Sequence, residues 1–241
     1  MQSSFYVTLS AQAAIDRRLA TLAANVANQS TPGYRAEQVD FKTVLSRSGN
    51  TQVAYVAPGE TYISRRPGVP YKTGDPLDVA LQGDCWLALR TPSGVVYTRD
   101  GRMRMAQSGD LQSVNGYPVL DAGSSPVTLD PNAGPVTIAP DGMISQGGRQ
   151  MGAIGLFRID ESATLRRFDN SSVISSKPAT PVLDFTRNSV TQGYVEGANV
   201  NPVLEIEKLI SLSRTFESIS AAIEISESSL KDAIRILGGL I

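Results

Sequence analysis

The sequence, 241 residues long, contains no histidine. That removes the commonest general base, the commonest metal ligand and every Ser-His or Cys-His pairing at once. Cys85 is the only cysteine, so no intramolecular disulfide can staple the fold. Aromatic residues make up only 6%, and Trp86 is the sole tryptophan, which leaves little material for a stacking surface. Neither sign of charge is in excess: the formal net charge is −1. A near-neutral chain offers no electrostatic footprint for nucleic acid or an anionic membrane. No window of about 18 apolar residues occurs, so no membrane insertion is expected. The N-terminal stretch lacks a basic n-region and is interrupted by Gln12, Asp16, Arg17 and Arg18, so no cleaved signal peptide is expected.

What is present suits a folded chain with one or two cores: 41% hydrophobic and 19% charged residues. The two ends read as helices. No proline or glycine falls between Ser4 and Asn28, and Ile15, Leu19, Leu22 and Val26 share one helical stripe, extended toward the start by Phe5. Thr8 and Gln12 weaken that stripe, and Thr31-Pro32-Gly33 should stop the helix. Asn28 can close its end, and Pro32-Gly33 should turn the chain toward the middle. Gly33 is therefore expected to matter for assembly more than for the middle's stability.

The C-terminal pattern is more sustained. Leu209, Leu212, Phe216, Ile219, Ile223, Ser226, Leu230, Ala233 and Leu237 alternate spacings of three and four, a heptad-like seam with one polar member. Asn201 suits an N-cap, Pro202 the first helical position and Gly238-Gly239 a stop. A helix over 202–237 would run roughly 54 Å, longer than a small domain needs. The bland reading of both stripes is packing on the chain's own core or on each other. The length of the second favours an interface.

The middle reads as β-structure. Leu77, Val79 and Leu81 alternate with Asp78, Ala80 and Gln82, and Asp100-Gly101, Asn115-Gly116, Asp141-Gly142 and Gly147-Gly148 mark close-set turns. Short antiparallel strands in a sandwich, barrel or meander are expected. The fold class implied is α+β. Long terminal helices form a coiled-coil-like assembly domain over 1–35 and 199–241. Connector arms span 36–73 and 186–198, and an all-β domain spans 74–185.

Each chemical motif has a plainer reading. Asp130-Pro131-Asn132 has no glutamate at EF-hand spacing, so it reads as a turn and no metal site is expected. Cys85 has no histidine to activate it and reads as a small strand residue in the core. Arg65-Arg66 and Arg166-Arg167 read as solvated surface pairs, too sparse for a nucleic-acid footprint. No catalytic residue and no cofactor site is expected.

Three stretches resemble one family. Leu22-Ala23-Ala24-Asn25-Val26-Ala27-Asn28-Gln29-Ser30-Thr31-Pro32-Gly33-Tyr34-Arg35 resembles the N-terminal motif of flagellar rod and hook proteins, through Asn25, Asn28, Thr31, Pro32, Gly33 and Tyr34. Val195-Glu196-Gly197-Ala198-Asn199-Val200-Asn201-Pro202, followed by the seam, is similar to their C-terminal motif, with Ala198 in place of the usual serine. Between them, Thr73 to Asp84 and Tyr97-Thr98-Arg99-Asp100-Gly101 look like the start of the family's β domain, with Cys85 where a glycine is usual.

The resemblance implies a structural subunit, not an enzyme, with no small-molecule substrate. It implies export through the flagellar type III apparatus and assembly with other rod subunits and copies of itself into a tube crossing the periplasm. The expected interface is Ile15, Leu19, Leu22, Val26, Leu209, Leu212, Phe216, Ile219, Ile223, Leu230 and Leu237. The motif residues expected to matter are Asn25, Asn28, Thr31, Pro32, Gly33, Tyr34, Glu196, Asn199 and Asn201. One modest β domain suits a proximal-rod or distal-rod member, and Gly83-Asp84-Cys85-Trp86 looks more like the proximal one. Two readings from other classes stand beside it. One is an extracellular β-sandwich binding module with helical oligomerisation ends. The other is an Asp/Glu hydrolase, which would need two carboxylates across one cleft.

Overall fold

The computed structural model describes residues 2–48 and 51–239, apart from the side chains of 2–5, 42–43, 46–48, 51–59 and 230. Phe5 and Leu230 of the expected stripes thus lie outside the described side chains. Two compact units emerge. One gathers the two chain ends with residues 37–62, and the other holds residues 28–36 and 63–200.

In the first unit, α1 (Gln2–Ala27) packs against α2 (Pro202–Gly238). Gln12 Nε2 donates to Ser220 Oγ at 3.2 Å and Asn25 Nδ2 to Glu205 Oε2 at 3.2 Å, so the helices run antiparallel. On that register α1, beginning at Gln2, runs out opposite about residue 229 of α2. Asn201 caps α2, its side chain accepting from Leu204 N, and Pro202 opens the helix. The same unit carries two long paired strands, β1 (Glu37–Ser48) and β2 (Thr51–Ile63), within the stretch expected as an arm. Tyr62 Oη donates to Gln38 Oε1 across that pair at 2.5 Å.

The expected fold class is corrected here. Among the described residues the chain is mostly β, its strands spread over several small sheets, with a single helix toward each end. A coiled-coil-like pair flanking one all-β domain is not what the structure holds. Knobs-into-holes packing needs complementary apolar seams on both helices. The face of α1 is built largely from Ala14, Leu22 and the polar Asn25. Against it Leu209, Leu212, Phe216, Ile219 and Ile223 are only half-buried, and Leu237 is exposed.

The second unit centres on a six-stranded antiparallel sheet. Its spatial order runs Leu165–Arg167, Ser172–Ser175, β6 (Gly94–Thr98), β5 (Trp86–Thr91), Leu156–Arg158, Thr180–Pro181. Strand β5 is buried on both faces. Leu87 and Leu89 join the main core with Val96, Leu111, Ile144 and Leu156, while Trp86 packs on the other side with Ile63, Ile159 and Val173. Smaller pairings surround the sheet, among them β4 (Val79–Gln82) with Ser189–Gln192 and β3 (Pro70–Lys72) with Tyr194–Glu196. These last two tie the returning chain to the start of the β region.

Cys85 sits one residue before β5, fully buried and in contact with the main core. Burial raises its pKa from 9.0 to about 11. Below 9 the thiol is neutral folded or unfolded. As pH rises from 9.0 toward about 11 only the unfolded chain sheds the proton, so stability should fall across that window. Iodoacetamide at pH 8 should alkylate the native thiol at least about a hundredfold more slowly than the unfolded one. Equal rates would show that Cys85 is neither buried nor shifted.

Candidate functional site

The N-terminal and C-terminal motifs, far apart in sequence, meet in the second unit. The turn after α1 is closed by Thr31, whose N–H and Oγ1 donate to Asn28 O and Oδ1 at 3.0 and 3.1 Å. Pro32 fixes the direction, and Gly33 adopts φ 70°. Gly33 needs that freedom and also the missing side chain. A Cβ there would lie 2.2 Å from Asp100 N and 2.5 Å from the Arg99 carbonyl carbon. Its N–H donates to Glu196 O at 2.8 Å. This corrects the expectation that Gly33 serves assembly more than the middle: it is a backbone contact of the β unit itself.

Next along the chain, Tyr34 is buried with the Arg167 guanidinium 4.4 Å above its ring, and its carbonyl accepts from Asn199 N at 3.2 Å. The Asn199 side chain does what a strand edge would do. Its Oδ1 accepts from Ala36 N at 2.6 Å, and its Nδ2 donates to Arg66 O at 2.7 Å and Ser64 Oγ at 3.1 Å. In the first unit Asn25 plays a similar part. It accepts from Glu37 N and donates to Glu37 O, each at 2.9 Å, while reaching Glu205.

At the centre of the junction lies Glu196, 2% exposed. Its Oε1 meets Arg35 Nη2 at 2.7 Å and also accepts from Gly68 N at 3.0 Å. Its Oε2 meets Arg99 Nη2 at 2.6 Å and Arg99 Nε at 2.7 Å. Arg99 spends its remaining donors on the carbonyls of Leu81, Gly83 and Cys85. Two buried cations thus share one buried carboxylate. Burial pulls the Arg35 pKa well below its ordinary value, to about 10, with Glu196 opposing the shift and Arg99 adding to it. The arrangement is structural: it locks the ends of the β unit together.

Glu196, Asn199, Gly33 and Tyr34 are brought together in the β unit. Asn25, with Glu205, and Asn201, at the start of α2, belong to the helical unit. Of the expected interface, Leu22 is buried, Ile15, Leu19 and Val26 are half-buried, and the α2 residues stand as described above. Arg35 and Arg99 were part of the motifs but no role attached to them. Arg65 and Arg167, expected on solvated surfaces, are instead tied inward. Arg65 donates to Ile159, Asp160 and Ala163 carbonyls at 3.1, 2.8 and 3.1 Å, and Arg167 donates to the Arg35 carbonyl. The Asp130 and Asp141 carboxylates cap turns: Asp130 Oδ1 accepts from Asn132 N and Asp141 Oδ1 from Met143 N.

Three family models match the chain in order. The flagella basal body rod protein model covers residues 5–35, the flagellar hook protein FlgE/F/G D1 domain covers 80–146, and the flagellar basal body rod FlgEFG protein C-terminal covers 191–236. That series defines an axial protein of the flagellar rod and hook class. The chain is 44% identical over 238 residues to the flagellar basal-body rod protein FlgF of Mesorhizobium japonicum, covering 99% of each chain. It is 43% identical over 239 residues to FlgF of Rhizobium meliloti, again with 99% of each chain covered. Against the flagellar basal-body rod protein FlgG of Bacillus subtilis, covering 98% of this chain and 99% of that one, identity drops to 26% over 265 residues. The chain belongs to the FlgF family of flagellar basal-body rod proteins. It is a structural subunit of the proximal rod, not an enzyme.

Proposed function

We propose that this subunit polymerises through α1 and α2 with other rod subunits and copies of itself. The product is the tube crossing the periplasm, reached after export by the flagellar type III apparatus. The exposed apolar surface of α2 carries this reading. Ile234 is 70% exposed, Ile236 65% and Leu237 71%, in the stretch that α1 is too short to reach. Val203, Leu204, Ile206 and Ile210 near the other end are exposed as well. A helix apolar around so much of its circumference belongs in a buried setting. Head-to-tail contact between like subunits yields an open helical assembly. The interface proposed is the α1 stripe of Ile15, Leu19, Leu22 and Val26 with the α2 seam from Leu209 to Leu237.

Replacing Ile234 and Leu237 together by aspartate should leave the melting of the β unit unchanged, because neither residue belongs to it. Recovery of the chain in isolated basal bodies should fall at least about tenfold, the cost of leaving two apolar contacts unmade and burying charge instead. Wild-type recovery would remove the helices from the interface.

A further inference from the structure

We infer that the two ends of α2 are complementary halves of one contact, the end of one copy's α2 packing on the start of the next copy's. The inference rests on the assembly reading above and names the partner, a second copy of this chain. Two apolar rows run along different sides of α2. Leu209, Leu212, Phe216, Ile219 and Ile223 are half-buried on the α1 side, and their row runs on through Ala233 and Leu237, with Ile234 beside it, past the reach of α1. Val203, Ile206 and Ile210 form a second row on the far side of the helix from the first, and they are 68%, 44% and 48% exposed. Each row is open over about two turns and repeats at spacings of three and four, the pattern by which one helix seats on another.

The charges choose the partner. At the start of α2 stand Glu205 and Glu207 against Lys208. Glu205 is held by Lys208 at 2.7 Å and by Asn25 at 3.2 Å, which leaves Glu207 exposed. At the end stand Lys231 and Arg235 against Asp232, all three exposed. The start is therefore net acidic and the end net basic, so like ends repel and unlike ends attract. With two helices laid parallel and Ile206 level with Ile234, Glu207 comes level with Arg235 and Ile210 within one residue of Leu237. In that overlap the positive pole at the start of one helix lies beside the negative pole at the end of the other. An antiparallel pair would use both unlike-end contacts at once and close on itself. The parallel overlap leaves a free start and a free end, and so continues as an open assembly.

The test uses the full chain carrying Ile234→p-benzoylphenylalanine, a photoreactive apolar replacement, in cells lacking the wild-type copy. Isolated basal bodies are irradiated and the products resolved by mass. The expected product is a ladder of two, three and more copies, with attachment mapping to residues 203–210 of the next copy. Pairs with no higher member would show a closed two-fold contact and overturn the head-to-tail overlap. Attachment to 231–238 or to α1 of another copy would overturn the pairing of end with start. An adduct with a chain of different mass would overturn the second copy as occupant, and recovered protein with no adduct would overturn the contact altogether. If the label at 234 prevents recovery, the same label in place of Ile206 decides, with attachment then expected at 231–238. The aspartate variant of Ile234 and Leu237, run in parallel, separates the two claims. If that variant is lost from basal bodies while the label maps elsewhere, only the end-to-start pairing fails. If it is recovered normally, the assembly reading fails first.

Discussion

Glu196→Gln should destabilise the β unit by about 3–5 kcal/mol, the range seen when one partner of a buried ion pair is removed. The substitution keeps the shape and can still accept from Gly68 N, but it leaves Arg35 and Arg99 buried with no carboxylate between them. Thermal unfolding of the full chain should show a drop of order 10 °C in the transition of the β unit. Glu196→Asp retains the charge on a shorter arm and should cost visibly less. If Gln and Asp variants melt together, the loss comes from packing and the shared-carboxylate description is wrong.

Gly33 is the second position of large effect. Its φ of 70° disfavours any side chain, and a Cβ would press into the Asp100 and Arg99 main chain, which has no soft end to yield. Even Gly33→Ala should therefore cost about 3 kcal/mol or more, and Gly33→Val more still. Both should also weaken the Gly33 N–H bond to Glu196 O, because the turn must back away from the strand. A melting curve for the alanine variant within a degree or two of wild type would show that the close approach is not real.

The parts of this protein that were legible in its sequence are those written locally. The breaker at Thr31-Pro32-Gly33, the Asn201-Pro202 start of α2 and its stop at the glycine pair are each encoded within a few residues, and each falls where expected. The motif residues were legible as a set, since three motifs in order point to one family. What each residue does was not. Arg35, Arg99 and Glu196 lie in three separate segments, and nothing in spacing or periodicity says that two arginines share one glutamate. Arg65 and Arg167 were misread because a basic pair on a short strand usually faces water, whereas here main-chain carbonyls and the Tyr34 ring draw the side chains in. The terminal helices were over-read. A heptad-like seam on α2 suggested a coiled-coil pair, but the residues α1 buries are Ala14, Leu22 and the polar Asn25, which do not form a continuous apolar seam. Strand β5 was hard to read for the opposite reason. With both faces buried, Trp86 to Leu89 shows no alternation to detect.

Hydrogen exchange along α2, compared between the purified full chain and isolated basal bodies, tests assembly through the helices most directly. Amides of residues 231–238, beyond the reach of α1, should exchange fast in the chain alone and slowly in the basal body, while β5 and β6 stay protected in both. Slow exchange of 231–238 in a verified monomer, or fast exchange in the assembled rod, would contradict it.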